Sequence, residues 1–360
     1  MIAMAALDIS TNGNVEIAGG ALKSALGLTV KGRSGAYVGA ISVNAQTQLE
    51  AHGQSLKLIG QSIQNSGSIS AFGQVLELTS ATTFTNAGVV ISKGLGDLRA
   101  AGVFTNSGTI SVAGGLTIGG LAKGSSSGAF TNSASKSVEA ASATIRAASI
   151  SNGGDLKATG SGSGLTLSSQ GAVSNIGSIF SEGDLRIQSS NAWDISGEPI
   201  KANGKLILEG VDGGYTGAVT INANGILRGQ QGLGLRAASL TNHGQFGTSS
   251  GDLTVGLTGK LTNYGLIFSA RDASISMGGA LLNDGGDIFT MGNMTLSGLN
   301  DGRMASLTNQ NAAVIETFGG DVSIAAQTVR NVGTNPLIQL RELVETRTQT
   351  SGAVLTTTKI

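Results

Sequence analysis

Leu240-Thr241-Asn242-His243-Gly244-Gln245-Phe246 is answered 21 residues later by Leu261-Thr262-Asn263-Tyr264-Gly265-Leu266-Ile267. Both stretches spell one phrase: an apolar residue, Thr or Ser, Asn, any residue, Gly, any residue, an apolar residue. The phrase returns as Ile63-Gln64-Asn65-Ser66-Gly67-Ser68-Ile69, Phe84-Thr85-Asn86-Ala87-Gly88-Val89-Val90, Phe104-Thr105-Asn106-Ser107-Gly108-Thr109-Ile110 and Val173-Ser174-Asn175-Ile176-Gly177-Ser178-Ile179. Shorter copies end in Asn132, Asn152, Asn283, Asn309 and Asn331. The asparagines stand 20 to 26 residues apart, except across one gap of 67 between Asn175 and Asn242. That gap accommodates three degenerate units, with Asn203-Gly204 and Asn224-Gly225 as their middle marks. Twelve steps then carry the chain 266 residues, from 65 to 331, at a mean period near 22.

A second phrase follows the first: Gly, Asp or a similar residue, then apolar-x-apolar. Gly183-Asp184-Leu185-Arg186-Ile187, Gly251-Asp252-Leu253-Thr254-Val255 and Gly320-Asp321-Val322-Ser323-Ile324 are the clearest copies. Apolar residues alternate at a period of two and never at 3.6, which reads as short strands joined by turns. The reading is a coil of strand, turn, strand, turn. Because each phrase returns in the same direction, successive copies stack in parallel and in register, about 4.8 Å apart. The fold class is therefore all-β, a right-handed parallel β-helix (solenoid) with coils of about 22 residues, about fourteen coils in all. Residues 1–336 form it, with irregular coils or a loop near 189–217, and residues 337–360 form a charged, Thr-rich extension. The structural turn positions are Asn65 and Gly67, Asn86 and Gly88, Asn106 and Gly108, Asn175 and Gly177, Asn242 and Gly244, and Asn263 and Gly265. Asn tolerates left-handed backbone and Gly adopts it freely, while stacked Asn side chains can hydrogen-bond along the axis.

Composition agrees with thin coils. Glycine is 57 of 360 residues and proline 2, charged residues are 12% and aromatics 4%. Narrow layers of Leu, Ile, Val and Ala fill such a stack without large rings. Lys plus Arg equals Asp plus Glu at 22 each, so no net basic charge points to nucleic acid. The absence of cysteine excludes disulfides, thiolate metal sites and cysteine nucleophiles. No stretch approaches the roughly 20 apolar residues of a membrane helix. The opening Met1-Ile2-Ala3-Met4-Ala5-Ala6-Leu7-Asp8 lacks a basic n-region, and no signal peptide is expected in this chain.

The array of L-T-N-x-G-x-I and G-D-L-x-[LIV] phrases resembles the haemagglutinin repeats of filamentous-haemagglutinin-like exoproteins of bacterial two-partner secretion. The resemblance covers residues 7 to 333 and is most typical from Leu240 to Asn331, including Leu307-Thr308-Asn309-Gln310-Asn311-Ala312-Ala313-Val314-Ile315-Glu316 and Ala326-Gln327-Thr328-Val329-Arg330-Asn331. It implies a secreted or cell-surface filament and a non-enzymatic, adhesive or structural role, with virulence among its contexts. It also implies an outer-membrane two-partner secretion transporter as partner, engaged through a secretion domain of a parent protein, and a receptor on a host or neighbouring cell. The family also includes stalks that present a toxin in contact-dependent growth inhibition. Neither the secretion domain's N-P-N-G phrases nor the V-E-N-N toxin junction is found, so the expectation is an internal shaft segment, or a truncated or split reading frame of a larger exoprotein.

Asp97, Asp155, Asp184, Asp252, Asp272 and Asp321 could line up to collect calcium, but each is better read as capping a turn through its own backbone. His52 and His243 fall at turns with no second ligand, so no metal site is expected. Gly94-Leu95-Gly96 and Gly232-Leu233-Gly234 imitate a phosphate loop, yet no helix follows them. No catalytic residue and no cofactor is expected; a β-helical carbohydrate-active enzyme, which requires converging carboxylates, is the rival reading. Trp193, Pro199 and Tyr215 mark Ser189 to Gly217 either as degenerate coils with Trp193 packed inside, the favoured reading, or as an outward loop that meets a ligand. Beyond Pro336, the segment with Arg341, Glu342, Glu345 and Arg347 is read as leaving the helix, or as helical around Leu340 to Val344.

Overall fold

A computed structural model describes residues 2–332. They wind into a parallel β-solenoid of about 16 turns, roughly 21 residues apart. The expected parallel, in-register stacking is present; the coil count is higher than fourteen, and the C-terminal segment from 337 lies outside the described residues. Each turn carries three short strands rather than two. One coil runs through Phe84–Asn86, Val89–Ser92 and Leu95–Ala100. The next runs through Phe104–Asn106 and then Thr109–Gly119, which bends through a corner without interruption. Like strands pair in parallel from coil to coil, so three columns enclose the core. The Asn phrase hides this because it holds two strands: three residues of the first column, the Asn-x-Gly corner, then the start of the second.

Alternation decides what faces inward. Phe84 and Asn86 are buried and Thr85 is half-buried; Val90 and Ser92, then Leu98 and Ala100, continue the inward rows. Register places like on like. Phe84 stacks on Phe104 with ring centroids 4.5 Å apart, and Phe104 on Phe130 at 5.6 Å. Each fully buried Leu, Ile, Val or Phe contributes about 1.5–3 kcal/mol, so the column interior carries the bulk of the stability. Trp193 takes this same inward row, 2% exposed, beside Val219 in the next coil. It is packed inside, and the coils near 189–217 remain in register with their neighbours.

The first corner is held by an asparagine ladder. Each Nδ2–H donates to the Oδ1 of the asparagine one coil on: Asn65 to Asn86 at 2.7 Å, Asn86 to Asn106, Asn106 to Asn132 and Asn132 to Asn152 at 2.8 Å, and Asn152 to Asn175 at 2.7 Å. A second run joins Asn242, Asn263, Asn283 and Asn309 at 2.8 Å and reaches Asn331 at 3.0 Å. The amides also serve the backbone. Asn65 accepts the Gly67 N–H at 3.2 Å and donates to the Val89 carbonyl at 3.1 Å. Between the runs, buried Ile195 and Ile221 occupy the ladder position. The marks expected there are elsewhere: Asn203-Gly204 lies at the second corner, and Asn224 is displaced from the ladder although Gly225 keeps the glycine row.

The glycines of the Asn-x-Gly corners are needed for a reason other than left-handed backbone. None of Gly67, Gly88, Gly108, Gly177, Gly244 and Gly265 has positive φ, nor do their asparagines. A β-carbon at Gly88 would instead lie 2.0 Å from the carbonyl oxygen of Gly67 in the preceding coil, and one at Gly108 2.0 Å from that of Gly88. Stacking distance, not local conformation, selects glycine. The other two corners use hydroxyls that donate to a carbonyl three residues on. Ser92 to Leu95, Ser181 to Asp184 and Ser269 to Asp272 close the second corner at 2.8–2.9 Å, and Ser80 to Thr83 closes the third at 2.7 Å.

Coil length has its own period. Ladder positions Ile17 and Val43, Asn106 and Asn132, Ile195 and Ile221, and Asn283 and Asn309 are each 26 residues apart. The excess lies at the third corner, in loops that begin at Gly32, Gly120, Gly210 and Gly298. Each is closed by that glycine's N–H, donated to the carbonyl of Ala36, Ser125, Gly214 or Gly302 at 2.7–2.9 Å. One loop therefore projects every fourth coil, about 19 Å along the axis at the usual strand spacing.

Two outcomes follow from this register. Deleting residues 242–262 sets Asn263 where Asn242 was and should leave a folded, one-coil-shorter solenoid, whereas deleting 242–251 should disrupt it. Equal circular dichroism and melting for the two deletions would contradict the coil register. Asn106→Ala strands the Asn86 amide and the Asn132 carbonyl, and should cost about 1–3 kcal/mol in urea unfolding. Thr105→Ala, on the outward side of the same strand, should stay within about 0.5 kcal/mol.

Candidate functional site

The sequence-predicted asparagines and glycines all fall on the buried first corner, Asn65 to Asn175 in one run of the ladder and Asn242 and Asn263 in the other. Its amides are engaged with one another and with backbone, so it holds coils together and offers nothing outward. The six aspartates separate into two groups. Asp97 and Asp155 lie on strands, beside Arg99 at 2.9 Å and Lys157 at 3.0 Å. Asp184, Asp252, Asp272 and Asp321 stand at the entry to third-column strands. There Asp184 accepts the Lys205 N–H at 2.8 Å, Asp252 the Asp272 N–H at 3.3 Å and Asp272 the Asn293 N–H at 2.8 Å. For Asp321 the direction reverses, its own N–H donating to Asn293 Oδ1 at 3.0 Å. The carboxylates of Asp184, Asp252 and Asp272 thus cap turns, but the turn of the next coil rather than their own. Among the described residues no three His, Asp or Glu side chains gather as a metal ligand set.

His52 stacks on Phe72 at 4.8 Å and lies 3.0 Å from Glu50. Burial would raise the Glu50 pKa, but hydrogen bonds and charge from Lys23 and His52 outweigh it and hold the carboxyl below its ordinary value. His243, in the corner beside Asn242, stacks on Tyr264 at 4.5 Å. The two glycine pairs open strands, Leu95–Ala100 and Gly232–Asn242, with no helix after either.

Of the four projecting loops, the one in the long coil after Lys205–Glu209 overhangs a recess in the outer surface. Its loop, from Gly210 to Tyr215, includes a 3-10 turn at Val211–Gly213 with Asp212 at φ 57°. The loop covers Glu209, which is 5% exposed, and brings Tyr215 out over the third column. Trp193 is packed inside, as the favoured reading of 189–217 has it, and an outward loop follows in the same segment. Below Tyr215 the outward rows lose their side chains at Gly234 and Gly256. A β-carbon at Gly256 would lie 3.8 Å from the Tyr215 ring, filling space that is now open.

The result is an open groove of about 350 Å³, lined by Ile207, Glu209, Tyr215, Arg236, Thr254 and Ser276 among others. The Arg236 guanidinium lies over the Tyr215 ring, 5.0 Å from its centroid. Glu209 accepts hydrogen bonds from Arg186, in a close ion pair, and from Gln188 at 3.1 Å. Among the described residues no carboxylate pairs with Arg236, and the Thr254 hydroxyl has no hydrogen bond. Ser276 donates to the Val255 carbonyl at 3.3 Å. Chemically this is a recess with one aromatic wall, one available guanidinium and two hydroxyls. Sequence reading found Tyr215, named Gly234 only within a glycine pair read as a poor phosphate loop, and missed Glu209, Arg236 and Gly256. The available signal was Gly in outward x positions, Gly232-Leu233-Gly234-Leu235-Arg236 and Val255-Gly256-Leu257, where other coils place Thr, Arg or Lys.

Outside the groove, the charged rows make a pH-dependent contribution. The Ser178 hydroxyl and the Lys157 ammonium hold the Asp155 carboxyl below its ordinary range. A folded pKa below the unfolded value stabilises the protein above the unfolded pKa, about 3.9, and that stability is lost as pH falls through the folded value. Wild type should therefore melt above Asp155→Asn at pH 6, and the difference should shrink below about pH 4. A difference that is constant between pH 6 and 3 would assign no role to the ionised carboxylate.

No helix among the described residues is long and apolar enough to cross a membrane. No family model, curated protein or solved structure matches the chain.

Proposed function

We propose that this chain is a shaft segment of an exported bacterial surface filament of the haemagglutinin-repeat kind. In this reading it supplies length and a lateral surface for adhesion. The observation that carries the reading is the single unbroken register from Ile17 to Asn331, through which each described coil repeats the same three columns. At the usual strand spacing, 16 turns make a rod about 75 Å long with small polar side chains along much of its outside. A chain built this way devotes its sequence to extent and surface. The parent protein would reach the cell surface through an outer-membrane two-partner secretion transporter, and the segment would meet a receptor on a host or neighbouring cell.

One observation gives the enzymatic rival a specific location, the Glu209 carboxylate at the groove. Acid–base glycoside hydrolysis uses two carboxylates about 5–10 Å apart. Glu209 is the one acidic residue lining the groove, and it is already bonded to Arg186 and Gln188. The adhesive reading accounts for the groove without a reaction.

Beads coated with the full chain should adhere to cultured epithelial or bacterial cells several-fold more than albumin-coated beads. Excess free chain should compete the adhesion away. Adhesion no greater than albumin on both cell types, or release of reducing ends from a panel of polysaccharides by the purified chain, would overturn the proposal.

A further inference from the structure

We infer that the groove under Tyr215 is a binding site for a monoanionic sugar, a uronic acid residue whose carboxylate is held by Arg236. The inference rests on reading this face as a binding surface and adds the chemistry of one ligand to it. The space is made by omission. Along the third column the outward positions carry Arg186 and Ile207 before Gly234, and Gln188, Glu209 and Arg236 before Gly256. Two bare backbone positions in adjacent coils open a recess, and the loop of the long coil roofs it with Tyr215.

Charge selects the ligand. Arg186 and Glu209 form an ion pair and cancel, whereas Arg236 is held against the Tyr215 ring with no acidic partner among the described residues. A ring-stacked guanidinium keeps its N–H edges for a planar oxyanion and binds a carboxylate with two parallel hydrogen bonds. The groove therefore has one cation to spare. That suits a monoanion and leaves a dianionic phosphate or a polysulfated chain undercompensated. The remaining lining matches a polyhydroxylated ring: the Thr254 hydroxyl is free to hydrogen-bond, Ser276 keeps acceptor capacity, and Ile207 with Tyr215 supplies apolar walls for C–H faces. At about 350 Å³ the recess lies at the small end of ligand pockets, room for one sugar residue entered from the open side.

The test uses the full chain and three probes: methyl glucuronide, methyl glucoside and inorganic phosphate, followed by saturation-transfer NMR and calorimetry. Glucuronide should bind with a Kd on the order of 1 mM, with glucoside and phosphate at least tenfold weaker. Arg236→Gln and the groove-filling Gly256→Val should each reduce glucuronide binding at least tenfold with circular dichroism and melting unchanged. Arg146→Gln, an outward arginine of the same column far from the groove, should leave it as it was. Equal binding of glucoside, preference for phosphate, or glucuronide binding that survives Arg236→Gln would overturn the inference. If either groove variant melts early, the wild-type ranking of the three probes still decides. A chain whose beads adhere to cells but which takes up no glucuronide defeats this inference and leaves the adhesive reading standing.

Discussion

Every coil of this solenoid satisfies its backbone through the coils on either side of it. A strand of three to six residues is far too short to be stable alone, and its N–H and C=O groups find partners only if the neighbouring coil has the same strand in the same place. Identity of register is thus the condition on which the rest depends. It explains why like residues recur on the inside, and why the corners carry stricter chemistry than the faces. At a corner the chain turns while the spacing to the next coil stays fixed. The backbone approaches the preceding coil so closely that at Gly88 a single β-carbon would collide with the Gly67 carbonyl.

The asparagine ladder answers the same constraint. A buried corner leaves polar backbone groups that a hydrophobic side chain cannot serve, and leaving them unpaired is costly. An amide has a donor and an acceptor that lie along the axis, so each asparagine bonds to its copy and to nearby main chain. Ile195 and Ile221 show that apolar packing can replace the amide for two coils. The substitution coincides with the bulkiest inward ring, Trp193, whose Nε1–H has no hydrogen-bond partner among the described residues. The ladder position there is apolar rather than polar, and the Gly210–Tyr215 loop projects from the third corner of the same coil.

Outside the columns the constraint relaxes. Outward residues need only avoid blocking the stack, so they vary from coil to coil among Thr, Ser, Lys, Glu, Arg and Gly. A recess can then be made simply by leaving side chains out, as at Gly234 and Gly256, and roofed by a loop that the third corner admits every fourth coil. A binding surface can evolve on such a rod without touching what folds it. This is the physical sense in which a monotonous core and a specific surface are compatible.

The sequence by itself determined the parallel stacking, the period and the identity of the ladder asparagines, because each is written into the spacing of one phrase. Inward and outward alternation at a period of two was equally legible, and with it nearly all of the core. Two of the four 26-residue coils, Asn106 to Asn132 and Asn283 to Asn309, were present in the same spacings. The other two, and with them the return every fourth coil, came from the register of Ile17 with Val43 and of Ile195 with Ile221. What only the tertiary structure decided was where the chain turns: alternation continues unbroken through a corner, so three columns read as two. It also decided why the corner glycines are glycines, since the clash is with a residue about 20 positions away. And it decided that Glu209, Tyr215, Arg236 and two bare glycines share one groove. Neighbours across coils are set by register and by loop length together, and no short window of sequence contains both.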